Sequence, residues 1–196
     1  MKREEYYIKY FEQCQTVLDI GCGDGIFLEL LKKNNIIGVG VDINERVVNI
    51  CKDKGLTVFQ GDAVDFLRDK TNNYDGIYIS HVIEHLLPEK VVSLIKSSFF
   101  ALKPSGILIV ITPDAKNIKD LLGGFWEDAT HIRPYPLPLL EKIFKGAGLN
   151  VVKSVERRNV YSGKFLWQTR DFFRNILVGD FWGRDEVCII GKKIIL

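Results

Sequence analysis

Short runs of β-branched and aliphatic residues alternate with stretches of helical periodicity along this chain, and that alternation is what most narrows its fold. Strand-type runs fall at 17–21, 36–41, 56–60, 74–79 and 107–111, and helix-type stretches at 26–33, 44–54, 63–70, 88–102 and 136–146. The strand runs are apolar at successive positions rather than at every second one, as strands covered on both faces must be. Such strands, separated by helices, predict a doubly wound, mostly parallel α/β sheet with helices on both faces. Asn44 is placed to cap one helix and Pro88 to open another, while Gly146 and Gly148 stop a third. Two further runs, 149–155 and 186–191, require no core-type helix between them, so the last strand is expected to be antiparallel.

The chain has 196 residues, enough for one substantial core, and is read as a single domain. Two long connections interrupt its rhythm, at about 113–134 and 156–185, and connections of that length are usually lids, binding loops or interaction elements. The 27 Lys and Arg against 25 Asp and Glu are interleaved, so no nucleic-acid partner is expected. Cys14, Cys22, Cys51 and Cys188 show no C-x-x-C pair or metal-ligand spacing and read as reduced thiols of a cytoplasmic protein. The first ten residues are charged and aromatic, unlike a signal peptide. No apolar run approaches the ~20 residues of a membrane span.

The first strand runs into Asp19-Ile20-Gly21-Cys22-Gly23-Asp24-Gly25, a glycine turn that opens a helix. Glycines let the backbone turn tightly against a ligand, and the helix N-terminus presents N–H groups to an anionic one. Alone, the turn suits any nucleotide-type ligand. The spacing D-x-G-x-G-x-G differs, however, from the dinucleotide pattern G-x-G-x-x-G. Asp42 ends the second strand, where a carboxylate can accept both hydroxyls of a ribose. Asp62, in Gly61-Asp62-Ala63 after the third, is expected to accept from an adenine amino group.

In these residues, in Val39–Ile43, in 74–86 and in Leu102-Lys103-Pro104-Ser105-Gly106 before the fifth strand, the chain resembles the class I S-adenosylmethionine-dependent methyltransferases. The resemblance covers roughly residues 16–155. It implies a Rossmann-like sheet of seven strands with one antiparallel, and S-adenosylmethionine as cofactor. The implied donor site comprises Asp19, Gly21, Cys22, Gly23, Asp42, Ile43, Gly61, Asp62, Ala63, Ser80 and His81.

His81-Val82-Ile83-Glu84-His85 spells the inverted zinc-protease pattern H-x-x-E-H. It follows directly on a strand, is cut off by Pro88, and lacks an evident third ligand, so no metal site is expected. Ligands of open α/β sheets lie beyond the carboxyl ends of the strands. The loops after strands four and five therefore flank the place for chemistry, and they carry His85 and His131. Methylating a hydroxyl requires a base, for which histidine is suited near neutral pH. His131 is the first choice and His85 its orienter or the second candidate; hydrogen bonds that merely stitch the loop to the sheet are the alternative role.

Strand four ends in Ile79-Ser80-His81-Val82, not in the Asn/Asp-Pro-Pro-aromatic string associated with methylation of nucleobase amino groups. The expected acceptor is a small molecule or glycan, with oxygen the favoured atom. A catalytically silent cofactor-binding partner subunit is one alternative, and a NAD-dependent oxidoreductase a less favoured one. Residues 164–178 carry an apolar stripe that suits a packed helix, a hood over the acceptor, a dimer contact or a peripheral membrane helix. A monomer and a homodimer are both compatible with the sequence.

Overall fold

The computed structural model describes residues 4–117, 120–157 and 186–194. Its strands are β1 (Thr16–Ile20), β2 (Ile37–Asp42), β3 (Val58–Gln60), β4 (Tyr74–Ser80), β5 (Leu102–Pro113), β6 (Leu149–Arg157) and β7 (Glu186–Lys193). They form one seven-stranded sheet in the order β3-β2-β1-β4-β5-β7-β6. Neighbours from β3 to β5 pair in parallel, and β7 runs antiparallel between β5 and β6. The expected fold is therefore the observed one, with the last strand slotted inside the sheet rather than added at its edge.

Each strand feeds two cores. Ile77 and Ile79 of β4, Leu108 and Val110 of β5, and Val187 and Ile189 of β7 are buried on one face. Tyr78, Ile109, Ile111, Cys188 and Ile190 are buried on the other. This is why the strand runs show no polar alternation. The first face is covered by α4 (Ala63–Leu67), α5 (Pro88–Ala101) and α7 (Leu137–Gly146), through Leu67, Val91, Leu94, Leu140 and Phe144. The second is covered by α1 (Glu5–Ile8), α2 (Ile26–Lys33) and α3 (Glu45–Asp53).

Local capping follows the sequence. Asn44 accepts from the Arg46 amide at 3.0 Å to start α3, and Pro88 occupies the first turn of α5. One element escapes the periodic pattern. Helix α1 has four residues, far too few to hold by itself. It is fixed by tertiary burial: Tyr7 and Phe11 are fully buried beside Tyr78, whose ring stacks on Phe27 at 3.9 Å. Burying such a side chain contributes about 1.5–3 kcal/mol, enough to order a turn that propensity would leave open. Gly76 makes room for it, since a Cβ there would meet the Phe11 ring at 2.5 Å.

The connection at 113–134 begins after β5 and contains a π-type turn, Asp120–Gly124, followed by the short helix α6 (Phe125–Glu127). Residues 158–185, with the apolar stripe at 164–178, lie outside the described residues. Among those described, no helix is long and apolar enough to cross a membrane.

Candidate active site

Strand order places β1 beside β4 where the chain reverses its direction across the sheet: β2 and β3 extend outward from β1, and β5 extends the other way from β4. The crevice beyond the carboxyl ends of such a pair is the usual ligand site of open α/β folds. Here it is a cleft of about 460 Å³, lined by Gly21, Asp42, Ile43, Gly61, Asp62, Ala63, His81 and His85, together with Ile20, Val41, Val64, Val82, Leu86, Lys90 and Leu94. That volume is ordinary for a small-molecule site.

The glycine turn and the loop after β4 close on each other from the two sides. Gly21 has φ +69°, and a Cβ there would lie 2.3 Å from Cγ2 of Val82. Any side chain at that position would collide with Val82, which also lines the cleft, and strain the backbone as well. Asp42 ties the turn down: its Oδ2 accepts from the Gly23 amide at 3.0 Å and its Oδ1 from the Asn44 amide at 2.9 Å. Asp19 is buried beneath the turn. Burial, with the charges of Asp42 and Glu4 adding to it, pushes the Asp19 carboxyl well above the ordinary carboxylate range. A cationic ligand would relieve that penalty.

Asp62 caps α4, its Oδ1 accepting from the Val64 and Asp65 amides, while its Oδ2 pairs with Lys90 Nζ at 2.6 Å. Partial burial opposes its ionisation, but Lys90 and the two amides prevail and hold its pKa below the ordinary value. Both oxygens are thus already engaged, and an adenine amino group would have to share them. Cys22 is turned away: the Cβ that Gly40 lacks would meet its sulfur at 2.8 Å, beneath the strand. Asp19, Cys22, Gly23 and Ser80 underlie the cleft and do not line it.

The string from His81 to His85 does not form a zinc-protease helix. His81 sits at φ +55°, and only Ile83–His85 is helical, as one 3₁₀ turn. The His81 ring packs against two buried acids, with Nδ1 3.1 Å from Glu84 Oε1 and Nε2 3.7 Å from Glu186 Oε2. Glu186 Oε1 also accepts from the Tyr7 hydroxyl, which joins α1 and β7 to the same cluster.

His85 and His131 come together. Their ring centroids are 4.6 Å apart, and the His131 ring stacks on Phe125 at 4.3 Å. His131 Nδ1 lies 2.6 Å from the Phe125 carbonyl oxygen. A carbonyl only accepts, so Nδ1 carries the proton and Nε2 is left as the basic nitrogen. One ligand-type atom from each of Glu84, His85 and His131 lies within 4.8 Å of the others, a group that leaves out His81 of the H-x-x-E-H string. The Glu84 carboxylate, however, is already used by His81 and by the Thr112 hydroxyl.

The sequence profile of the methyltransferase domain family matches residues 4–154. The chain belongs to this family. Its class is that of the S-adenosylmethionine-dependent methyltransferases. A solved S-adenosylmethionine-dependent methyltransferase from Archaeoglobus fulgidus superposes with a TM-score of 0.82 at 33% identity, covering 97% of this chain and 91% of that one. A ubiquinone biosynthesis O-methyltransferase of Coxiella burnetii (strain Dugway 5J108-111) is 31% identical over 54% of this chain and 48% of its own length. An N-terminal Xaa-Pro-Lys N-methyltransferase 1 of Xenopus tropicalis is 27% identical over 72% of this chain and 63% of its own length. The chain thus spans about half to two thirds of the curated relatives it matches.

The methyltransferase's cleft suits its cofactor. Gly21 leaves bare backbone where a Cβ would collide with Val82 in the lining of the cleft, and the Asp19 carboxyl is buried two residues before it. Sequence reading misses Lys90, which lines the cleft, and Glu186 and Tyr7, which lie behind His81, because each is brought in by tertiary contact rather than by a motif.

Proposed function

We propose that this methyltransferase methylates a hydroxyl of a small molecule or glycan, with His85 as the general base and His131 as its partner. One observation carries the proposal: beside the cofactor cleft stand two imidazoles, of which at least His131 has its Nδ1 proton committed to a fixed acceptor and its Nε2 left basic. The sequence alone puts His131 first. The geometry favours His85, which lines the cleft as His131 does not.

The residues divide the work as follows. Asp42 would hold the donor's ribose through the acceptor capacity that the Gly23 and Asn44 amides leave open. The donor's amino acid part would lie against the glycine turn at Gly21 and Gly23, above the buried Asp19 carboxyl. Ile43, Gly61, Asp62 and Ala63 surround the base, and Ser80 and His81 support the far wall. When bound, S-adenosylmethionine supplies a methyl on a sulfonium, which in-line attack by the acceptor oxygen converts to a neutral thioether. His85 Nε2 takes the acceptor's proton as that oxygen attacks and later loses it to water. Positioning and exclusion of water supply the rest of the acceleration.

Relatives that methylate oxygen and nitrogen are both similar to this chain, and a base beside the methyl favours oxygen, since a neutral amine attacks without first losing a proton. The same pair favours an active enzyme over a silent partner subunit. Free cysteines at all four positions support a reducing compartment, the cytoplasm. Incubation with methyl-labelled donor and a panel of phenols, sugar alcohols and peptide amines tests the assignment. Label is expected in a methyl ether; label in amines alone would overturn it.

A further inference from the structure

The loop carrying His131 is built around one tight turn at residues 128–131. The His131 amide donates to the Asp128 carbonyl at 3.1 Å, closing the turn. Asp128 Oδ1 accepts twice from Thr130, from its amide at 2.8 Å and from its hydroxyl at 2.6 Å. These bonds fix the Thr130 rotamer from within the turn, although the residue itself is exposed. Thr130 Oγ1 then lies 2.8 Å from Nδ1 of His85, a residue 45 positions away in sequence. The Ile132 amide donates to the Glu84 carbonyl at 2.8 Å, which clamps the turn onto the His85 segment.

The hydroxyl has a single proton, and its shortest contact is to a carboxylate, which in its ionised form only accepts. Thr130 therefore donates to Asp128 and accepts from His85, so Nδ1 of His85 is the protonated nitrogen. The carboxylate at the far end favours ionisation: the Thr130 bonds, chiefly, hold the Asp128 pKa below its ordinary value. One turn thus serves both imidazoles, seating His131 under the Phe125 carbonyl and His85 on Thr130.

We infer that Asp128 and Thr130 are positioning residues that hold His85 in the tautomer with a basic Nε2. This inference rests on the reading of His85 as the base. When Nε2 takes the acceptor's proton, Nδ1 keeps its own, Thr130 keeps its own, and the imidazolium charge is oriented through the hydroxyl toward the Asp128 carboxylate. No proton leaves the relay. The arrangement performs for a methyl acceptor what a carboxylate does for the histidine of a hydrolase triad.

The test needs no acceptor. The chain has three histidines, so nitrogen-15 labelling of the imidazoles gives three ring systems that single substitutions can assign. In the wild-type protein the neutral His85 ring is expected as the Nδ1–H tautomer. Thr130→Val should lose that preference in favour of Nε2–H, the form a free imidazole prefers, whereas Thr130→Ser should retain it. Asp128→Ala should behave like Thr130→Val, because the freed hydroxyl can then donate to the ring. An Nε2–H form in the wild type, or an unchanged Nδ1–H form in Thr130→Val, would overturn the inference. An unchanged form in Asp128→Ala would remove Asp128 from it. Wild-type turnover by His85→Ala would instead overturn the base assignment, leaving the tautomer result intact, so the two failures are distinguishable.

Discussion

Asp42→Ala will weaken binding of S-adenosylhomocysteine by ~30-fold or more, about 2 kcal/mol, while the protein stays folded. Two effects add. The variant loses the acceptor expected to hold the ribose, and it releases the Gly23 and Asn44 amides that Asp42 now accepts from. The second effect loosens the glycine turn without opening the core, because β1 pairs with β2 from Thr16↔Ile37 to Ile20↔Val41, short of Asp42 itself. Calorimetric titration checks the affinity, and thermal melting checks the fold. An affinity equal to the wild type would remove Asp42 from the donor site.

His85→Ala will lower methyl transfer by ~10²- to 10⁴-fold, the usual contribution of a positioned base, and change cofactor affinity by no more than about threefold. The split follows from where the residue stands. Its ring meets Thr130 and His131 of the loop after β5, whereas the residues proposed to hold the donor's ribose and amino acid part follow β1 and end β2. His131→Ala should also lose turnover with cofactor affinity kept, but less of it, because His131 acts beside the cleft rather than in its wall. Single-turnover assays with labelled donor, once an acceptor is in hand, read both rates. Equal loss of turnover and of cofactor affinity in either variant would assign that histidine a structural role.

The parts of the molecule legible in its sequence are those fixed by local pattern. Strands β1 to β4 and the helices between them announce themselves by apolar runs, caps and glycines. Their observed limits differ from the expected ones by a few residues at most, as where β3 begins at Val58 rather than 56. Strand β5 is longer than its apolar run because Lys103 to Gly106 looks like a turn, with Ser105 at φ +65°, yet Leu102 still pairs with Tyr74 across a bulge. Helix α1 is invisible because its four residues have no period of their own and are ordered by Tyr7 and Phe11 in the second core. The donor motifs are legible because backbone geometry demands glycine and a strand end places the acid. The side-chain pairings around the cleft are not, because His85 meets Thr130, His81 meets Glu186 and Asp62 meets Lys90 only after the chain has folded. The string His81 to His85 shows how misleading local spelling can be: its two histidines do not share a helix turn, and the side chains that meet the His85 ring come from the next loop.

The central claim is that one cleft holds the donor's ribose on Asp42 and brings its reactive end to His85. Titrating S-adenosylhomocysteine into protein labelled with nitrogen-15 at histidine tests it most directly. Saturable shifts of the His85 and His81 rings are expected, lost at the same ligand concentrations in Asp42→Ala and not produced by NAD. Calorimetric binding of S-adenosylhomocysteine that leaves the His85 ring unmoved would contradict the account.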